Sequence, residues 1–351
     1  MSQKIQGILQ RGVAIPASVL ALNSQRKFDE RRQRALFRYY SAAGAGGIAI
    51  AVHATQFAIR DPKIGLFEPL LRLGQEEMNR LDAGRSEPMV RISGICGLTP
   101  QAVKEATLAR DLGYHAGLLS LNALRTADDK TLVEHAKAVS QVLPIVGFYL
   151  QPAVGGRILP YSFWRKLCES VKNIWAIKIA PFNRYQSQDV IRAVVETGRQ
   201  DIALYTGNDD NIVADLTTPF PFMTKDRMVE RRIVGGLLGH WSVWTRRGVE
   251  LLEECHAAVA KKTISWDLLT KATAVTDCNA AFFDAANNYV GCVAGLHEVL
   301  RRQRLLEGIW CLNPDEGLST GQREEIDRIY VAYPQLNDDE FVEKGIDSWM
   351  K

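Results

Sequence analysis

Eight short apolar runs, separated by longer stretches of helical character, constrain this chain more than any other feature. The runs are "GVAIPASVL" from Gly12, "GGIAIAV" from Gly46, "PMVRISGI" from Pro88, "HAGLLSL" from His115, "PIVGFYL" from Pro144, "NIWAIKI" from Asn173, "DIALYTG" from Asp201 and "VGGLLGHW" from Val234. They are apolar on both faces or nearly so, as strands of a parallel sheet covered by helices should be. Segments such as "FDERRQRALFRYYSAAG", "TPQAVKEATLARDLGYH", "ADDKTLVEHAKAVSQVLP" and "RYQSQDVIRAVVETGRQ" lie between them. The second of these opens with Thr99 as the expected cap and Pro100 in the first turn, and closes at Gly113. Eight such units in about 260 residues have the size and rhythm of an α/β TIM (β/α)8 barrel. The rival, a doubly wound sheet, requires a glycine-rich phosphate turn after its first strand, and "IPASVLALNS" has none. After about Thr263 the alternation stops, so residues 1–262 are expected to form the barrel and residues 263–351 a C-terminal helical region. The segment "TTPFPFMTKDRMVERR", with two prolines, is expected to be a loop over the site or a helix broken at its start.

Composition excludes several classes of function. The 351 residues are 46% hydrophobic and 24% charged, and 43 basic residues against 40 acidic ones leave a net charge of only +3. So small and interspersed an excess gives no footprint for nucleic acid. The opening "MSQKIQGILQRG" lacks the apolar core of a signal peptide, and no apolar run reaches the roughly 18 residues of a membrane span. A cytoplasmic protein without membrane contact is expected. The six cysteines are scattered with no CxxC pair, so reduced thiols are expected and no metal site. No hydride-transfer fingerprint or phosphate loop is present, so no cofactor is expected.

One run is apolar but for a single residue. In "IWAIKIA", Ile174 to Ala180, only Lys178 is polar. In such a barrel, function sits at the C-terminal ends of strands, where both Lys178 and Tyr149 fall, on consecutive runs. Side chains alternate along a strand. With Lys178 facing inward, Ile174 and Ala176 do too, and Trp175, Ile177 and Ile179 face the helices. Tyr149 shares a face with Ile145 and Gly147, and neighbouring strands about 4.8 Å apart would bring phenol and amine together. A lysine with its ordinary pKa near 10.4 is neutral in only about one molecule in 2,500 at pH 7. Burial lowers that pKa, and a neutral amine adds to a ketone or keto acid to form an iminium, an electron sink for lyase chemistry. Tyr149 would relay protons. The plainer alternatives are a lysine reaching solvent along its stem and a tyrosine filling the core.

The motifs resemble those of the dihydrodipicolinate synthase/N-acetylneuraminate lyase family of class I Schiff-base aldolases. "FYLQP" with Tyr149 resembles the family's "YNxP", whose tyrosine is the proton relay. "IWAIK" with Lys178 resembles its Schiff-base strand. "LYTGNDD", with Gly207 and Asn208, resembles its "SGxD" segment, and "VAGLHEVLRRQRLLEG" its C-terminal helices. The family's "GTTGE" loop, which holds the keto-acid carboxylate, is replaced by "VHATQ". That puts His53 and Ala54 in the threonine places and Thr55 beside them. His53 is then a substrate ligand or acid/base, or a satisfied core histidine. Val154 stands where the synthases carry a carboxylate-binding arginine, and "SLNALRTADD" lacks their second tyrosine. The resemblance implies a lyase or aldolase on pyruvate or another 2-keto acid, assembled as a homodimer or homotetramer. The alternatives are a sugar-acid dehydratase using the same Lys/Tyr pair and a barrel that binds a small molecule without turnover.

Overall fold

The computed structural model describes residues 2–351. Ten strands occur in it: β1 (Ala14–Pro16), β2 (Gly47–Ile50), β3 (Val90–Ile95), β4 (Ala116–Leu119), β5 (Ile145–Leu150), β6 (Ile174–Ala180), β7 (Ala203–Thr206), β8 (Phe220–Met223), β9 (Met228–Arg231) and β10 (Gly235–Leu238). Eight of them form one sheet in the order β1-β10-β7-β6-β5-β4-β3-β2. A parallel bridge between Ala17 and Ala49 joins the two ends of that order. This is a TIM (β/α)8 barrel followed by C-terminal helices, and every apolar run read as a strand contributes one. The segment expected as a loop or broken helix is instead the antiparallel hairpin β8–β9, with Phe220 opposite Arg231 and Met223 opposite Met228. Its turn is closed by the Thr224 hydroxyl, which donates to the Arg227 carbonyl at 2.8 Å.

The helices are α1 (Ser2–Arg11), α2 (Glu30–Ala42), α3 (Phe67–Asp82), α4 (Thr99–Asp111), α5 (Asp129–Ser140), α6 (Tyr161–Ser170), α7 (Arg184–Glu196), α8 (Ile212–Thr217), α9 (Thr245–Lys261), α10 (Trp266–Phe283), α11 (Cys292–Arg302), α12 (Gln322–Ala332) and α13 (Asp339–Trp349). Their starts follow local chemistry. Asp29, Asp128, Asn183 and Ser265 each accept a backbone N–H three residues on, capping α2, α5, α7 and α10. Thr99 is not the cap of α4: Leu98 holds that place, and the Thr99 hydroxyl meets His135 Nδ1 at 2.9 Å instead. No helix among the described residues is long and apolar enough to cross a membrane.

The chain divides into two compact units. One holds the chain up to Val13, Val90–Leu237 and Cys255–Ile264; the other holds Ala14–Met89, Leu238–Glu254 and Ser265–Lys351. In the first unit β3 to β7 run parallel in unbroken neighbour pairs. Tyr205 of β7 donates its hydroxyl to the Leu9 carbonyl of α1 at 2.9 Å and accepts the Val13 N–H at 3.2 Å. In the second unit Tyr39 of α2 ties helices by side-chain bonds: its hydroxyl donates to Asp338 at 2.9 Å and accepts the Thr245 N–H at 2.7 Å. Buried Glu77 takes Arg34 and Arg38 at 3.2 and 2.7 Å, so its buried charge is paired.

Candidate active site

Lys178 lies in β6, all seven residues of which are buried. It pairs in register with Phe148 of β5 on one side and Tyr205 of β7 on the other. Paired residues of parallel strands point the same way. Accordingly Lys178 Nζ stands 4.7 Å from the centre of the Phe148 ring. The stem runs over Gly207, where a Cβ would fall 2.4 Å from Lys178 Cε and 2.7 Å from Ala180 Cβ. Only glycine leaves that path open, a physical reason for the "TGN" that follows β7. Lys178 is 9% exposed. Burial brings its pKa down to about 8, against the opposing negative charge of Asp209. At that value about one amine in ten is neutral at pH 7.

Tyr149 does not share this face. It pairs with Ile179, one residue beyond Lys178, and packs its ring 5.5 Å from Trp164 of α6. It is fully buried, and its hydroxyl accepts the Leu159 N–H at 3.1 Å. The phenol therefore points to the helix layer, with its pKa raised by burial, and is not placed to relay protons at Lys178. The cause is an irregularity in register. Ile145 faces Ile174, but Val146 faces Ala176, which leaves Trp175 as an extra residue on β6. The offset between the strands thus passes from 29 residues to 30 before the site is reached. A one-residue slip sends a side chain to the other face. Phe148 occupies the place expected for the tyrosine.

The turn after β7 is built around a buried carboxylate. Asp215 of α8 is 0% exposed. It accepts the Thr206 hydroxyl at 2.6 Å and the Asn208 side-chain amide at 2.9 Å, and it pairs with Arg184. Burial pushes its pKa up, while these donors act in the opposite direction. Asn208 also donates to Ser187 Oγ at 3.1 Å and accepts the Phe182 N–H at 2.9 Å. Gly207 donates its N–H to the Ile179 carbonyl at 2.7 Å. Gly207 lies at the Lys178 stem, and Asn208 beside it turns to Phe182, Ser187 and Asp215. Gly207 gives space and Asn208 holds backbone, and the Asn208 amide is engaged within the protein on both its oxygen and its nitrogen.

The other expected residues form one turn in the second unit. His53–Thr55 is a single 3-10 turn after β2, entered through Ala51 at φ +62° and left through Gln56 at φ +68°. The Thr55 hydroxyl donates to the Ser18 carbonyl at 2.6 Å and accepts the Val52 N–H at 3.2 Å. Thr55 thus closes its own turn. Ala54 is buried, and His53 is half-buried with its ring 6.1 Å from that of Phe57.

Solved structures of low sequence identity share this architecture. The dihydrodipicolinate synthase of Oceanobacillus iheyensis superposes with a TM-score of 0.72 at 17% identity, covering 94% of this chain and 99% of that one. The Acinetobacter baumannii dihydrodipicolinate synthase, solved with pyruvate, gives 0.71 at 17% identity over 91% and 98%. A prophage protein of the dihydrodipicolinic acid synthase family from E. coli K12, also solved with pyruvate, gives 0.71 at 15% identity over 92% and 97%. The chain has the dihydrodipicolinate synthase fold. No protein-family model and no curated protein sequence matches it.

On the dihydrodipicolinate synthase fold, Phe148 and Asp209 act on Lys178 without a sequence signal that places them there. Phe148 was hidden because an all-apolar strand conceals a bulge. Asp209 and Asp215 were visible as the acids of "GNDDNIVAD", and their burial was not.

Proposed function

We propose that the chain is a Schiff-base-forming lyase or aldolase acting on pyruvate or another 2-keto acid, with Lys178 as the amine. The observation that carries the reading is a single lysine in a wholly buried strand, depressed to about pKa 8, its stem accommodated by Gly207. Two proteins of the same fold have been solved with pyruvate, which supports a keto acid as the class of substrate.

The chemistry proceeds as follows. The lone pair of neutral Nζ adds to the keto carbon, and a proton passes from nitrogen to oxygen to give a carbinolamine. Protonation of that hydroxyl and loss of water leave the iminium. The hydroxyl on the carbon beyond the neighbouring one gives up its proton, that carbon leaves as an aldehyde, and the electron pair of the broken C–C bond passes toward the iminium nitrogen to give an enamine. Protonation of the enamine and hydrolysis return the amine. A keto sugar acid would form the same iminium and lose a proton from the neighbouring carbon to give the enamine, whose electrons then expel hydroxide from the next carbon, which is the dehydratase alternative. Asp209, the buried charge acting on Lys178, favours the cationic iminium. Proton transfer in this reading falls to water or Asp209, since Tyr149 faces α6.

The Phe148 ring beside Nζ favours a second reading, a barrel that captures a carbonyl compound without turning it over. Borohydride trapping with a panel of 2-keto acids, read by intact mass, tests both. An adduct lost in Lys178→Ala, together with consumption of the acid in the absence of borohydride, supports the lyase. An adduct without consumption supports capture alone. No adduct with any acid removes the Schiff base.

A further inference from the structure

We infer that Asp215 is a positioning residue for Lys178, fixing the Thr206–Asp209 turn against the lysine stem. The functional meaning of this rests on the Schiff-base reading above; the geometry does not. Asp215 itself does not stand on the lysine's face. Side chains alternate along β7, so Tyr205 shares the face of Lys178, Thr206 turns away, and Gly207 returns to it. Through Thr206, Asp215 holds the residue between the two that meet Lys178.

Its second hold is on the end of β6. Asn208 is gripped by Asp215 and in turn accepts the N–H of Phe182, a non-glycine residue at φ +52°. Such a conformation is strained and persists where neighbours over-determine it. Arg184, two residues on, pairs with the same carboxylate. One fully buried acid thus receives donors from the strand end after Lys178 and from the strand end over its stem. A carboxylate suits this place because it only accepts, and all three partners donate. An asparagine would turn an N–H₂ group toward at least one donor.

Phe148 carries no charge, the Tyr205 phenol is engaged with α1, and Asp209 supplies the negative charge. If Asp215 acts only as a distant charge, its removal lowers the Lys178 pKa slightly, as loss of any carboxylate does. If it holds the turn, its removal lets water reach the amine, and the pKa rises. The two roles differ in sign.

Competitive acetylation of Lys178 with trace acetic anhydride, followed by peptide mass from about pH 6 to about pH 11, reads that pKa without any substrate. Asp215→Asn is expected to move the midpoint up from about 8 by about one unit. Thr206→Val, which removes one donor and leaves the charge, is expected to move it less in the same direction. Asp209→Asn is expected to move it down. An unchanged or lowered midpoint in Asp215→Asn overturns the inference. Should that variant not fold, Thr206→Val and Asn208→Ala decide it, and unchanged midpoints in both overturn it equally. Keto-acid trapping run in parallel keeps the two ideas apart. A wild type that forms no adduct removes the Schiff base and leaves the acetylation result standing.

Discussion

On one face of β5 and β6, Lys178 stands against Phe148 with its stem over a glycine; on the other, Tyr149 stands against Trp164 with its hydroxyl on a backbone amide. Both polar groups are buried, yet their situations differ. The phenol has a neutral partner at 3.1 Å and completes the packing of α6. The amine has burial, a ring face and the field of one carboxylate, and its ordinary charged state is disfavoured. A buried polar group with a good partner contributes to the fold, whereas one left poised between charge states is available for chemistry. On the proposed Schiff-base reading, the comparison separates a structural residue from a reactive one more sharply than their shared position near strand ends does.

Replacing the amine gives the largest expected effect. Lys178→Met should abolish any keto-acid adduct. It should also stabilise the protein, because burial depresses this pKa from 10.5 to about 8. Below the folded value both states are protonated and the full penalty of burying the charge applies; above the unfolded value it is gone. Wild-type stability should therefore rise with pH through that window. At neutral pH the methionine variant should gain about 3 kcal/mol, read by denaturant unfolding, with the gain fading toward pH 10.5. A variant no more stable than wild type at neutral pH would show that the amine is solvated.

Gly207→Ala comes next. Its methyl would fall 2.4 Å from Lys178 Cε. Overpacking of this kind costs about 1–3 kcal/mol, and here the lysine stem must move. The adduct should form more slowly, and thermal unfolding should show the loss. Retained stability and trapping rate would mean that the stem has another path.

Tyr149→Phe tests the opposite face. A general acid–base group contributes about 10²- to 10⁴-fold, so a relay would be plain in the trapping rate. The expected outcome is a rate within about twofold of wild type. The same change leaves the Leu159 N–H without its acceptor, which should lower stability by about 1–3 kcal/mol. A large fall in rate with little change in stability would return Tyr149 to the site.

What the sequence disclosed follows the same division. The strands were legible because burial on both faces demands uninterrupted apolar runs, and all eight runs hold. Lys178 was legible because one ammonium stands out in such a run. The phase of Tyr149 was not, because every neighbour of Trp175 in β6 short of Lys178 is apolar and a bulge leaves no mark there. The hairpin β8–β9 was obscured by its prolines. Pro221 is tolerated because a two-stranded ribbon leaves each strand an edge without a partner. The turn at His53 stands where the family resemblance puts a carboxylate cradle, but Thr55 is held by Ser18 and Val52, contacts that no local pattern reveals.

The smallest effect expected is also the finest test of the amine's surroundings. The Phe148 ring lies 4.7 Å from Nζ, within reach of a cation–π attraction. Such an attraction stabilises the ammonium and not the neutral amine, by about 0.5–2 kcal/mol, so it holds the pKa up. Phe148→Leu keeps the site apolar and removes the ring. The midpoint of Lys178 acetylation should then fall below about 8 by up to about one unit, making the amine more often neutral at pH 7. A rise instead would mean that the ring acts chiefly by keeping water out. Either sign is measured on the same peptide, while Trp164→Phe on the far face should leave that midpoint where it is.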